Sequence, residues 1–284
     1  MGTRGAFGVI IGEQEKIGYN QFDSYPEGRG IEQLQWVRQI VFTKDYSFPG
    51  DFSKFKTLAE ECEVVDDSTK PTKREKEALR GWTDLNVSEQ STDDWYCLTR
   101  DTHGSIENML RCGFIYDNRD FPLDSLFCEW AYIVDFDQEV FEVYQGFQKK
   151  LPKKGRWAGR PTKEEDAESY KLHLEWCKNN DREPWKPKVS EYKAVELIAS
   201  YPFDALPSDE EFLSEMALIE AKERLKDAAQ YPGDVADVVN RIVEEGYADE
   251  GKPFASEWAD LEETARTLVA KYSSPAETPM LTRD

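Results

Sequence analysis

Residues 126–136, LFCEWAYIVDF, constrain the fold of this chain more than any other segment. Only Glu129 and Asp135 carry charge, so an extended segment here is apolar on both faces. That pattern belongs to a strand in the middle of a sheet, covered above and below. Asp137 and Gln138 supply a turn, and residues 139–146, EVFEVYQG, return. In the returning segment Phe141 and Val143 share one face while Val140, Glu142 and Tyr144 share the other. The spacing predicts an antiparallel pair with the first strand buried and its partner nearer an edge.

The segments before this pair read as strands and helices in alternation. Residues 6–11 are apolar and partly β-branched, residues 12–15 turn, and residues 16–20 return as a hairpin. A dense run of turn formers, DSYPEGRG, fills 23–30. Ile31, Leu34, Val37, Ile40 and Val41 then recur at helical spacing over 31–42. Short helices are expected at 52–62, 73–79 and 103–112, followed by an extended stretch at 113–116. Trp82 and Trp95 are expected to anchor the intervening region, because large aromatics carry much of the burial.

Composition shifts at residue 149. Residues 149–160, KKLPKKGRWAGR, hold six basic residues and no acid. They read as part of a basic linker, 149–162. A helix is expected over 163–179, residues 192–201 fit either strand or helix, and helices are expected at 208–229, 234–246 and 256–272. Ser208 before Asp209, Glu210 and Glu211 is an N-cap with acids in the first turn. The tail from 273, with two prolines, is expected to fray. The fold class is therefore α+β: an N-terminal antiparallel β-sheet with helices over 1–148, the linker, and a mainly helical region over 163–284.

Charge and cysteine usage remove several classes of function. The 284 residues carry 57 acids against 36 Lys and Arg, a formal charge of −21. A chain so acidic is repelled by nucleic acid and by anionic membranes. The exception is the 149–160 segment, where Lys153, Lys154, Arg156 and Trp157 could grip a phosphate backbone and stack a base. Five cysteines, none in C-x-x-C spacing, and two histidines leave no zinc pattern and no paired disulfide framework. No metal or cofactor is expected, and free thiols point to the cytoplasm. No stretch approaches the eighteen apolar residues of a membrane span, and no signal peptide is read at the start.

Candidate chemistry is sparse. The turn at 23–30 opens a helix whose N-terminus could hold an anion near Arg4 or Arg29. Among the many adjacent acids Asp135 stands out, because it ends a buried strand; a turn or cap role is favoured there over catalysis. Loss of Met1 would expose Gly2, with Thr3 one residue too late to act as a terminal nucleophile. P-loop, dinucleotide and serine-hydrolase motifs are absent.

The opening MGTRGAFG and residues 16–30, KIGYNQFDSYPEGRG, resemble a group of uncharacterised bacterial and bacteriophage proteins. Those proteins begin MGTR and continue into a tyrosine-rich strand and a D-[GS]-Y-P-x-G-x-G turn. EWAYIVD at 129–135, followed by Glu142, Val143 and Tyr144, resembles the E-[YW]-x-Y-x-[IV]-D hairpin of the same group. The resemblance covers about a fifth of the chain. It implies a shared fold and a phage or bacterial source, and it carries no mechanism.

Three functions follow as expectations. The first is a non-enzymatic, phage-encoded protein that binds a host or phage macromolecule, with a basic protein surface as partner. Residues 208–284 carry 19 acids against 8 bases, so Glu210, Glu211, Glu244 and Glu245 are candidates for a negative face. The second is a hydrolase in which Arg4, Tyr19, Asp23, Tyr25 and Asp135 converge, with Arg4 beside Asp23. The third is a virion or assembly component.

Overall fold

The computed structural model describes residues 2–42, 51–83, 91–160, 174–180, 182, 191–228, 240 and 252–273. The chain divides into two compact units, Met1–Leu206 and Pro207–Asp284. The boundary expected at 148 therefore lies inside the first unit. Most of the helix expected at 163–179, nearly all of that at 234–246, and the tail beyond 273 lie outside the described residues.

The first unit is built on a five-stranded, mostly antiparallel sheet. Its strands are β1 (Gly5–Ile11), β2 (Gln14–Asn20), β5 (Trp130–Asp135), β6 (Val140–Gln145) and β7 (Glu196–Pro202), in the order β2-β1-β5-β6-β7. Two hairpins lie side by side, joined through their first strands, and that central β1–β5 pair is parallel. The parallel step departs from the all-antiparallel expectation, and the hairpin tips show what aligns it. Gly12 and Glu13 form the β1–β2 turn with φ of 56° and 61°, the doubly positive geometry of a tight two-residue turn. The Asp137 carboxylate, in the β5–β6 turn, accepts both of their N–H groups at 3.0 Å. Those two bonds hold the Asp137 carboxyl below its usual pKa.

β5 is the middle strand and is buried along its whole length. It begins at Trp130, four residues later than the apolar run suggests. Asp124 explains the delay: its carboxylate accepts the Leu126 N–H, and its carbonyl accepts those of Phe127 and Cys128, so 124–128 is a turn. Leu126 and Phe127 are consequently exposed. The undecided segment 192–201 resolves as β7, which pairs with β6 across a bulge at Val143 and Tyr144.

Helices cover one face of the sheet, which buries Phe7, Val9, Tyr132, Val134, Phe141 and Val143. α1 (Ile31–Phe42) and α2 (Asp51–Glu61) pack on each other, and α2 and α5 (Ile106–Cys112) pack on β1. α1 is placed by the turn before it. There the Tyr132 hydroxyl donates to the Ser24 carbonyl at 2.9 Å, and a Cβ on Gly30 would lie 2.8 Å from that same hydroxyl. Lys16, on the same face, is 2% exposed; its Nζ donates to the carbonyls of Ala59, Glu60 and Cys62 at 2.6, 3.0 and 2.7 Å. A cation thus closes the C-terminal end of α2, where three carbonyls lack helical partners.

The opposite face is covered by loops. Ala6, Ile10, Ile17, Ala131, Ile133 and Tyr144 pack against Cys128, Trp157, Ala194 and Val195. Trp157 is fully buried, edge-on to Tyr144 at 4.6 Å. The basic segment is therefore a strap across the sheet rather than a solvated linker. Beside β2 sits a small parallel pair, β3 (Glu63–Val65) with β4 (Phe114–Tyr116). Under it Val65, Leu79, Trp95 and Leu98 form a separate cluster, with Leu79 in the turn that follows α3 (Lys73–Ala78) and Trp95 and Leu98 from α4 (Trp95–Leu98).

The second unit contains α6 (Asp209–Ala228) and α7 (Ala255–Ser273). Ser208 and Glu211 exchange bonds as a capping box at the start of α6. Leu218, Ala221 and Leu225 of α6 pack with Trp258, Leu261 and Ala265 of α7. No helix among the described residues is long and apolar enough to cross a membrane.

Candidate functional site

The charged residues singled out by sequence do not form one constellation. Asp135 and Glu142 lie on the loop-covered face, 1% and 7% exposed. Arg156 reaches both: its guanidinium pairs with Asp135 and donates to Glu142 at 2.7 and 3.2 Å. Tyr144 donates its hydroxyl to Glu142 at 2.9 Å, and its pKa is driven up by burial and by that carboxylate. Asp135 Oδ1 also accepts the N–H groups of Asp137 and Gln138 at 2.7 and 2.8 Å, closing the β5–β6 turn. Every carboxylate oxygen of this cluster has a partner.

The turn at 23–30 is likewise spent on itself. Gly28 and Gly30 N–H groups bond the Tyr25 carbonyl, Arg29 N–H bonds that of Asp23, and Ile31 N–H bonds those of Pro26 and Gly28. Those bonds occupy four of the N–H groups that the sequence offers an anion, and the Arg29 guanidinium pairs with Glu32 at 2.6 Å. The turn does pack on the N-terminal segment, through Ser24 N–H to the Thr3 carbonyl at 3.1 Å. Arg4, however, forms no ion pair with Asp23; its guanidinium lies over the Phe127 ring, 4.7 Å from the centroid. Tyr25 points outward and is exposed.

A polar cleft of about 640 Å³ opens beside β2. Arg4 and Tyr19 line it, as expected of site residues, together with Glu15, Asp117, Arg119, Asp120, Asp124, Phe127 and Arg160. Asp23, Tyr25 and Asp135 do not. Two of its three arginines are held by carboxylates. Arg119 binds both oxygens of Asp117 at 2.7–3.0 Å, and Arg160 makes a two-pronged pair with Glu15, one prong at 3.0 Å. Arg4 is held over Phe127. Asp120 and Asp124 then stand without an ion pair among the described residues. Burial, followed by neighbouring Tyr96, raises the pKa of Tyr19, and Arg4 opposes this. The cleft was not legible in sequence, since its walls come from segments more than a hundred residues apart.

Of the residues proposed to meet a partner, Lys153 and Lys154 are exposed, whereas Arg156 and Trp157 are consumed by the fold. That removes the base-stacking role read into the basic segment. Glu210 pairs with Lys252 at 3.0 Å, and Glu211 serves the capping box. Further acids pair along their own helices, Glu220 with Arg224 and Glu262 with Arg266. Glu244 and Glu245 lie outside the described residues.

Among the described residues no group of three or more His, Cys, Asp or Glu could hold a metal ion. His103 has another consequence. Burial, followed by the Arg100 guanidinium, pulls its pKa down to about 4. The folded state then binds fewer protons than the unfolded state between pH about 4 and 6.5, so stability falls as pH drops through that window. The loss should reach at most about 3 kcal/mol. Urea unfolding at pH 7.5 and 4.5 should show this loss reduced in His103→Gln. An identical pH dependence in the two proteins would refute the assignment.

No protein-family model, curated protein or solved structure matches this chain.

Proposed function

We propose that the protein acts by binding a macromolecule with a basic surface, a protein rather than a nucleic acid, and not by catalysis. The observation that carries this reading is the charge state of the cleft. Its arginines are already held by Asp117, Glu15 and Phe127, while Asp120 and Asp124 carry no paired cation. A cationic side chain entering the cleft meets two carboxylates that carry no ion pair among the described residues. An anion would find only Arg4 without a carboxylate partner, its guanidinium set over Phe127. The chain's net charge of −21 favours a basic partner over nucleic acid. If the source is a phage or bacterium, as the resemblance of the opening turn implies, such a partner would be a host or phage protein.

The test uses decalysine as a defined cationic probe, with affinity read by fluorescence anisotropy at low and high salt. Reversal of the two acids without an ion pair, Asp120→Lys with Asp124→Lys, should weaken binding by about tenfold at low salt and reduce the salt dependence. The same reversal at Glu210 and Glu211, which are already engaged, should change little. Equal binding by the wild type and the cleft variant would overturn the proposal.

A further inference from the structure

The loops at one end of the sheet carry an unusual load of apolar side chains. This end is where β1 and β5 begin and where β2 and β6 finish. Backbone bonds bind its loops into a continuous rim: Ser24 to Thr3, Glu129 to Arg4, Gly146 to Glu129, Phe147 to Ser125, and Ser125 to Lys193. From that rim Phe22, Tyr25, Leu126, Phe127 and Phe147 project with exposures of 54, 40, 37, 42 and 53%. They are half of the ten large apolar side chains exposed among the described residues. Taken as fractions of side chains of about 200 Å², they present on the order of 400 Å² of apolar surface.

Two details argue that this exposure is held in place by the fold. Phe147 adopts a φ of 58°, a conformation bulky residues avoid, yet its N–H bonds Ser125 and its ring meets Tyr192 edge-on at 6.3 Å. Phe127 is braced from one side by the Arg4 guanidinium. Phe127 and Arg4 also line the cleft, so the apolar rim adjoins Asp120 and Asp124, which have no ion pair among the described residues.

We infer that this rim is the apolar centre of the binding surface, and that its occupant is a basic polypeptide segment with bulky apolar side chains. The inference rests on the cationic-partner reading of the cleft and adds to it where the partner sits and what else it must carry. An apolar centre with a charged margin is the anatomy of specific protein interfaces, in which a few aromatic anchors dominate affinity. Charge complementarity selects the occupant. A second copy would bring −21 against −21, and an anionic lipid surface would be repelled in the same way.

The experiment compares two peptides on the full chain, decalysine and a Lys/Leu peptide of equal charge, each read by fluorescence anisotropy. The variants are Phe22→Ser with Phe127→Ser and Phe147→Ser, and separately Asp120→Asn with Asp124→Asn; unchanged melting verifies that each is folded. The wild type should bind the Lys/Leu peptide about tenfold more tightly than decalysine, and the rim variant should lose that advantage while keeping its affinity for decalysine. If the rim variant retains the advantage and the acid variant loses binding, the rim inference fails and the cationic reading stands. If neither variant changes either affinity, both fail. Concentration-dependent dimers on sedimentation, or flotation with zwitterionic vesicles, that the rim variant abolishes would overturn the inference in favour of a second copy or a lipid surface.

Discussion

Replacing Arg156 by Met should lower the stability of the first unit by about 4 kcal/mol, the range found when one member of a buried ion cluster is removed. For a unit of this size that is a fall in Tm of about 10 °C. The cause is what the substitution leaves behind. Asp135 and Glu142 would remain nearly buried on neighbouring strands, with Asp135 keeping its two backbone donors and Glu142 only the Tyr144 hydroxyl. Because the stranded charges cost more than the lost contacts, adding Glu142→Gln to Arg156→Met should recover roughly half of the loss. Urea unfolding followed by tryptophan fluorescence measures both. A single variant within about 1 kcal/mol of the wild type would mean that the cluster is far wetter than its burial indicates.

Lys16→Met should cost about 3 kcal/mol, for a different reason. The apolar stem is preserved, but the carbonyls of Ala59, Glu60 and Cys62 lose their shared donor at a buried helix end. Burial already holds the Lys16 pKa below its ordinary value, with Cys62 and Glu60 opposing, so the site spends solvation to keep a cation there. Lys16→Arg tests the geometry: its larger head cannot occupy the same three-carbonyl nest, and it should recover less than half of the stability. Full recovery by Arg would show that charge alone matters at this position.

These two sites mark the division between what the sequence reveals and what it hides. The helix at 31–42 was readable because its apolar spacing depends on neighbours three and four residues away, and the structure places α1 over Ile31–Phe42. The central strand was readable from its double-sided apolarity. Lys16 was not, because a lysine in an alternating strand reads as its solvent side. Only the arrival of α2, more than forty residues later, turns that side inward. The strap was hidden for a similar reason. Six basic residues in twelve look like a solvated linker unless their carboxylates are known to wait on β5 and β6. Leu126 and Phe127 misled in the opposite direction: their apolarity lengthened the expected strand, when Asp124 had already committed them to a turn. Of the candidate site, Arg4 and Tyr19 were identified, but the acids that define its charge, Asp120 and Asp124, come from a loop without a motif.

The parallel pairing of β1 with β5 sets the order in which the chain can be built on a ribosome. Residues 5–11 are made about 120 residues before their partner at 130–135. At ordinary rates of synthesis that interval lasts on the order of ten seconds. During it the first hairpin exists with the inner edge of β1 unpaired, and β1 is apolar on every residue that the finished sheet buries. Closure of the strap comes later still, when 156 and 160 reach Asp135, Glu142 and Glu15. The nascent protein thus spends nearly half of its synthesis with its most adhesive strand open to any passing chain, and expression at lower temperature or with abundant holdase chaperones should raise its soluble yield.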